Sequence, residues 1–279
     1  MKAHLHQSLV DFEPSERSVY HPDPVLFTLE LTTLRTTPWP AERVLLSVAN
    51  GNGVVGAAVE ARDAVLLVNG LPAAAAMTAA EALVTAGAKL SGVRGTPSTA
   101  MAFTRAWHEL AAVSASELSR DVLYRLGELK PPNGVAGRWR TAGPGDAETV
   151  VHWLNEFFIE AFGEPSNVDA SRAMLASIVD AGEHVLLWEF DGEPVSMARV
   201  RPAVVGASRI GPVYTPAEQR GHGYAGAVTA AAAQFVRKGG ASEVVLFADT
   251  GNPVSNRVYR RLGFEAVATD VRYALAEHR

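Results

Sequence analysis

The sequence predicts an α/β (α+β) protein built as two similar halves. Three observations carry this. Short strand-like apolar runs alternate with longer stretches of helical periodicity. The segment Lys130-Pro131-Pro132-Asn133-Gly134 interrupts that alternation with two prolines and an Asn-Gly pair, which exclude continuous helix or central strand. The order of elements before this segment also echoes the order after it. The 279 residues, 48% hydrophobic and 20% charged, suffice for two ordinary domains. We place them at residues 1–130 and 136–279.

In the first half, Met1 to Tyr20 reads as a loosely held arm. Asp23 and Pro24 supply an N-cap and a first-position proline for a helix from Val25 to Leu34, closed by Pro38-Trp39-Pro40. Three strand-like runs follow, Arg43 to Val48, Val54 to Glu60 and Ala64 to Val68, separated by Asn50-Gly51-Asn52-Gly53 and Arg62-Asp63. An Ala-rich helix spans Ala76 to Ala88. A short strand at Gly92-Val93-Arg94 leads through Thr96-Pro97 into a helix to Leu110, and a polar strand runs from Glu117 to Leu126.

In the second half, Gly137 to Thr141 reads as a strand. Asp146 caps a helix from Ala147 to Phe162 with a broad apolar face, and Asp169 starts another from Ala170 to Ala181. His184 to Phe190 and Pro194 to Arg201 form a hairpin about Asp191-Gly192. Ser208 to Thr215 is a strand ending in a loop with Arg220, Gly221 and Gly223, and an Ala-rich helix follows to Arg237. Glu243 to Ala248 is a buried-type strand. Asn252 caps a short helix opened by Pro253 and stopped by Gly263, and Phe264 to Leu275 has strand character.

Composition narrows the function. A net charge of −5 argues against a nucleic-acid partner. The absence of cysteine excludes disulfides, thiolate ligands and a Cys nucleophile, and fits a reducing cytoplasm. There is no apolar signal core and no run of membrane-spanning length, so we expect a cytoplasmic protein without a membrane partner. The eight histidines lack ligand spacing, and no metal is expected. Oligomeric state is open.

The chemistry gathers at two strand ends. At the first, Arg220-Gly221-His222-Gly223-Tyr224-Ala225 leads into a helix uncharged until Arg237. A helix N-terminus offers unpaired N–H groups and the positive end of a dipole, the glycines let the backbone approach, and arginine suits phosphate oxygens. This is an anion site; an ordinary strand–helix turn would use the same glycines for geometry alone. At the second, Ser255, Asn256 and Tyr259 share a helical face three or four residues apart, expected to point away from a core side formed by Val258 and Leu262. The alternative there is a cap and a packing tyrosine.

Together the two clusters resemble the GNAT superfamily of acetyl-CoA-dependent acetyltransferases. Arg220, Gly223 and Ala225 match its Arg/Gln-x-x-Gly-x-Gly/Ala loop, and Asn252, Tyr259 and Gly263-Phe264 match its later motif. The resemblance covers Gly137 to Leu275, and the layout resembles bacterial GNAT proteins with a degenerate N-terminal GNAT-like domain. It implies two GNAT-like domains, each a mixed, mainly antiparallel twisted sheet flanked by helices. In the first copy Ala73 to Ala76 replaces the Arg-Gly-His-Gly loop, so one CoA is expected per chain.

The resemblance further implies acetyl transfer from acetyl-CoA to an amine by direct attack. Strands ending at Thr215 and Ala248 would splay around the pantetheine, with backbone near Val213, Tyr214 and Thr215 binding it and an N–H near Val213 polarising the thioester. Arg220, Gly221, His222, Gly223, Tyr224 and Ala225 would hold the pyrophosphate, with Asn252, Ser255 and Asn256 also on the cofactor. Tyr259 would be the general acid. The sequence departs from many members in having no carboxylate on the strand before the loop. Glu160, Glu164, Glu189 and His184 are substitutes, each with a structural or exposed alternative; His222 reads as a loop residue and His152 as a surface or packing one. That missing carboxylate keeps a CoA-binding sensor or assembly module in view. A small-molecule amine is the expected acceptor, a protein N-terminus or lysine the alternative.

Overall fold

A computed structural model describes residues 1–35, 42–163 and 165–277. Its strands are β1 (Lys2–Leu5), β2 (Leu45–Asn50), β3 (Gly53–Glu60), β4 (Val65–Leu67), β5 (Gly92–Gly95), β6 (Val113–Leu126), β7 (Arg138–Thr141), β8 (His184–Phe190), β9 (Glu193–Val200), β10 (Ala207–Tyr214), β11 (Glu243–Asp249) and β12 (Phe264–Glu277). Its α-helices are α1 (Leu9–Val19), α2 (Thr28–Thr33), α3 (Ala76–Thr85), α4 (Pro97–Ala111), α5 (Ala147–Phe162), α6 (Val168–Asp180), α7 (Tyr224–Lys238) and α8 (Pro253–Arg261). The chain divides into two compact units. One holds Met1–Leu123, Ala248–Gly251 and the C-terminal strand from Ala266; the other holds Tyr124–Phe247 and Asn252–Glu265. Among the described residues no helix is long and apolar enough to cross a membrane.

In the first unit β1, β2, β3 and β4 pair antiparallel in sequence, β4 pairs β5 in parallel, and β12 lies antiparallel to β5 with Val271 opposite Gly95. Leu46, Val48, Leu66, Val68 and Val93 from these strands close a core with Leu83 of α3 and Phe103 and Trp107 of α4. The proline at the first turn of α4 fits because its missing N–H would find no partner there. The segment expected to be a loose arm is ordered structure instead. Lys2 to Leu5 pair with β2, and Ser8 caps α1 through Asp11 N–H at 3.2 Å. Phe12 and Tyr20 are fully buried, which anchors the segment. Asp23 does accept from Leu26 N–H at 3.0 Å, but regular helix begins only at Thr28. The expected stop at Pro38-Trp39-Pro40 lies outside the described residues.

In the second unit β7, β8, β9 and β10 pair antiparallel and β10 pairs β11 in parallel. The alternation along β8 sorts the helices. Val185 and Leu187 pack with Val150, Trp153 and Leu154 of α5 and Ile178 of α6, whereas His184, on the opposite face, meets Phe235 of α7. Asp191 and Gly192, at φ 50° and 84°, make the expected tight turn. Two caps differ from expectation. Asp146 turns its carboxylate to Arg140, at 2.7 and 2.8 Å, and to Gly143 N–H, and does not cap α5. Asn167, not Asp169, caps α6 through Ala170 N–H at 2.9 Å. The chain from 127 to 137 contains neither helix nor strand, as its prolines require.

Each unit thus carries strand–helix–strand–helix with the two strands parallel: β4-α3-β5-α4 in the first, β10-α7-β11-α8 in the second. The mixed, mainly antiparallel sheets flanked by helices are those expected.

Candidate active site

Those of the residues singled out for chemistry that the structure describes lie in the second unit. Parallel pairing of β10 and β11 runs from Ala207–Glu243 to Ile210–Leu246; β10 then continues to Tyr214 and β11 to Asp249. On its other edge β10 shifts register against β9 between Ile210 and Val213. Arg201 donates to the Gly211 carbonyl inside that irregularity at 2.7 Å. Val213 and Tyr214 then sit opposite Ala198 and Met197. Ser196 donates to the Tyr214 carbonyl at 3.0 Å and lies 2.8 Å from the Thr215 hydroxyl, which fixes the end of the strand.

The loop that follows is built by two left-handed glycines. Gly221 has φ 85° and Gly223 φ 86°, conformations that cost other residues strain, and Gly223 is the N-cap of α7. A Cβ on Gly223 would also come within 3.1 Å of Val135. Ala227 N–H is the first to bond back, to Gly223 at 3.0 Å, so helix geometry leaves the N–H groups of Tyr224, Ala225 and Gly226 without intrahelical acceptors. The first turn has no acidic residue and the last turn carries Arg237 and Lys238, so side-chain charge leaves the positive pole of the dipole unopposed. His222 stacks on Tyr224 with ring centroids 5.4 Å apart, and Tyr224, buried, leans on Phe190. Beside them lies a groove of about 550 Å³ bounded by Gly134, Ala136, Phe190, Gln219, His222 and Tyr224.

Arg220 is exposed but engaged. Its Nε donates to the Thr215 carbonyl at 3.0 Å and its Nη2 to Glu160 Oε2 at 2.5 Å. Tyr214 donates its hydroxyl to the other oxygen of Glu160 at 3.1 Å. Burial, then the Glu160 contact, raises the Tyr214 phenol to about 12.

The second cluster is placed by α8. Asn252 caps the helix through Ser255 N–H at 3.0 Å, as expected. The facing of the helix is corrected. Asn256 and Tyr259 point inward, and Ser255 is half-buried. Asn256 accepts from the buried Tyr124 hydroxyl at 2.8 Å and donates to the Asn252 carbonyl at 2.7 Å. Tyr259 packs its ring against Tyr124 and Phe264, and burial raises its hydroxyl to about 12. Gly226 joins the clusters: a Cβ there would lie 3.7 Å from Val258, so α8 rests on the first turn of α7. Gly263 ends α8 at φ 94°, where any side chain would collide with the Glu128 carbonyl.

Of the substitute bases, Glu160 is held by Arg220 and Tyr214. Glu189 is held by Arg140 at 2.7 Å and Arg138 at 3.2 Å, which lower its pKa. His184 is exposed against Phe235, and His152 is exposed. Glu164 lies outside the described residues. Ser196 and Tyr124, which hold Thr215 and Asn256, were not singled out in the sequence; no local spacing links residues so far apart in the chain.

Residues 147–264 match the model of the Acetyltransferase (GNAT) family. A 177-residue stretch is 32% identical to the mycothiol acetyltransferase of Saccharomonospora viridis, covering 60% of this chain and 56% of that protein. The chain thus spans little more than half the length of that curated relative. Among solved structures, a GCN5-related N-acetyltransferase from Kribbella flavida superimposes with a TM-score of 0.62 at 20% identity, over 92% of this chain and 95% of that one. A tandem GNAT protein from the clavulanic acid biosynthesis pathway does so with a TM-score of 0.60 at 15% identity, over 100% of this chain and 99% of the other. These two likenesses establish the fold, two GNAT-like domains in tandem. Through residues 147–264 the chain is thus similar to the GNAT family of acetyltransferases.

Proposed function

We propose that the second unit transfers an acetyl group from acetyl-CoA to an amine on a small molecule. One observation carries the reading: β10, the Arg220–Gly223 loop and α7 present an unopposed helix N-terminus, with α8, the helix that carries Tyr259, resting on that same first turn through Val258. The pyrophosphate accepts from backbone N–H groups of the loop and first turn, over Gly221, His222, Gly223, Tyr224 and Ala225, with Arg220 at the rim. The pantetheine follows β10 beyond its Ile210–Leu246 pairing with β11, past Val213, Tyr214 and Thr215. Asn252, Ser255 and Asn256 shape the α8 side, Asn256 by holding Tyr124.

The amine reaches the thioester as a free base, its extra proton lost to water. Nitrogen attacks the carbonyl carbon, and a backbone N–H near Val213 supports the developing oxyanion. The C–S bond breaks as the amide forms, Tyr259 O–H protonates the sulfur, and the proton shed by nitrogen restores the phenol. A phenol at about 12 stays protonated at physiological pH, the form an acid requires. The small-molecule acceptor is supported by the relative named mycothiol acetyltransferase.

The test is thiol release from acetyl-CoA over a panel of small amines, with mycothiol precursors included. Tyr259→Phe should lower turnover about 10²-fold with acetyl-CoA affinity unchanged. An undiminished rate would remove Tyr259 from the mechanism.

A further inference from the structure

We infer that Glu160 is a built-in stand-in for the cofactor phosphates, occupying Arg220 until acetyl-CoA displaces it and thereby frees the end of α5. This rests on reading the Arg220 loop as the pyrophosphate site. Glu160 is in the last turn of α5, 60 positions before Arg220, yet its two oxygens are divided between the Arg220 guanidinium and the Tyr214 hydroxyl. The guanidinium also stands over the Tyr214 ring, 6.0 Å from its centroid, and donates to the Thr215 carbonyl. One carboxylate thus ties α5 both to the strand end that meets the thioester and to the loop that meets the phosphates.

The electrostatics make the tie exchangeable. The positive pole of α7 and Arg220 form a cationic rim, and Glu160 neutralises part of it. The pair is 49% and 44% exposed, so solvent screens it and its break costs little. A pyrophosphate brings more charge than a carboxylate and also takes the backbone N–H groups that Glu160 does not reach. Once it lies at the loop, a second anion on Arg220 is repelled. The carboxylate leaves, and the end of α5, from Phe158 to Phe162, loses its polar tie to β10. Phe157 packs on the core cluster that includes Trp153 and Tyr214 and stays held, whereas Phe158, half-buried, and Phe162, exposed, stack on one another beyond it, so the end of the helix is the part released. Cosubstrate binding therefore loosens the helix that flanks the strand end.

The experiment is calorimetric titration of acetyl-CoA into the full chain, wild type and Glu160→Gln, with hydrogen exchange of residues 157–163 before and after. Removing the competing charge should tighten acetyl-CoA binding roughly two- to fivefold, the worth of a half-exposed pair. In the wild type, exchange at 157–163 should rise on binding; in the variant it should be high beforehand and change little. Glu160→Ala, which also removes the charge, should behave likewise and covers the case in which the amide variant folds poorly. Equal or weaker affinity in both variants, or protection of 157–163 on binding, overturns the inference while leaving the loop assignment intact. No acetyl-CoA binding by the wild type overturns the loop assignment itself.

Discussion

The first unit should lose stability as pH rises, and Glu30 is the reason. This residue of α2 is fully buried, and neither carboxylate oxygen has a hydrogen-bond partner of good geometry. Burial raises its pKa from 4.5 to about 7; Asp270 adds to the rise, while Arg94 and nearby backbone dipoles relieve it only in part. A carboxyl whose folded value lies above its unfolded value binds its proton more tightly in the folded state. Its contribution is complete below the unfolded value and is lost as pH climbs through the folded one. The shift corresponds to about 3 kcal/mol across that window. Asp270, raised to about 6 mainly by burial, acts in the same direction at lower pH. The perturbation is Glu30→Gln, which keeps shape and removes the charge. Urea unfolding of both proteins from about pH 5 to about pH 8 should give nearly equal stabilities at the acid end, with the variant gaining up to about 3 kcal/mol at the alkaline end. A stability difference that does not depend on pH would refute the reasoning.

Two further substitutions probe the site's framework. Asn256→Ala strands the buried Tyr124 hydroxyl and should cost about 1–3 kcal/mol, most of which returns when Tyr124→Phe is added; additive losses in that double-mutant cycle would deny the contact its role. Gly223→Ala meets both a left-handed φ and Val135, whereas Gly221→Ala meets the φ alone. Each should lose about 1–2 kcal/mol in thermal unfolding, with Gly223→Ala the worse, and equal losses would show that Val135 yields freely.

Most of the site's skeleton was legible because its signals are local. Pro253 after Asn252, Gly263 after the last turn of α8, and Gly221 and Gly223 ahead of an Ala-rich helix are backbone demands written into neighbouring residues. The same holds for Asp191-Gly192 and for Thr96-Pro97. What stayed hidden depends on distant partners. The facing of α8 is set by Tyr124, which lies 132 positions from Asn256. Asp146 would cap its helix by local chemistry, but Arg140 offers two charged hydrogen bonds instead. Met1 to Tyr20 looked like an arm because its apolar residues are few and Pro14 falls inside α1. Yet Phe12 and Tyr20 bury completely, and two aromatic anchors outweigh weak helix propensity. The pattern of β12 likewise does not show that its residues from Ala266 on group with β5.

The central claim is that the β10–α7 junction binds acetyl-CoA. It is tested most directly by titrating acetyl-CoA into the chain and into Arg220→Glu, with melting temperatures to confirm that both are folded. The account predicts one acetyl-CoA per chain for the wild type and no measurable binding for the variant at an unchanged melting temperature. Binding of equal strength to both proteins would contradict it.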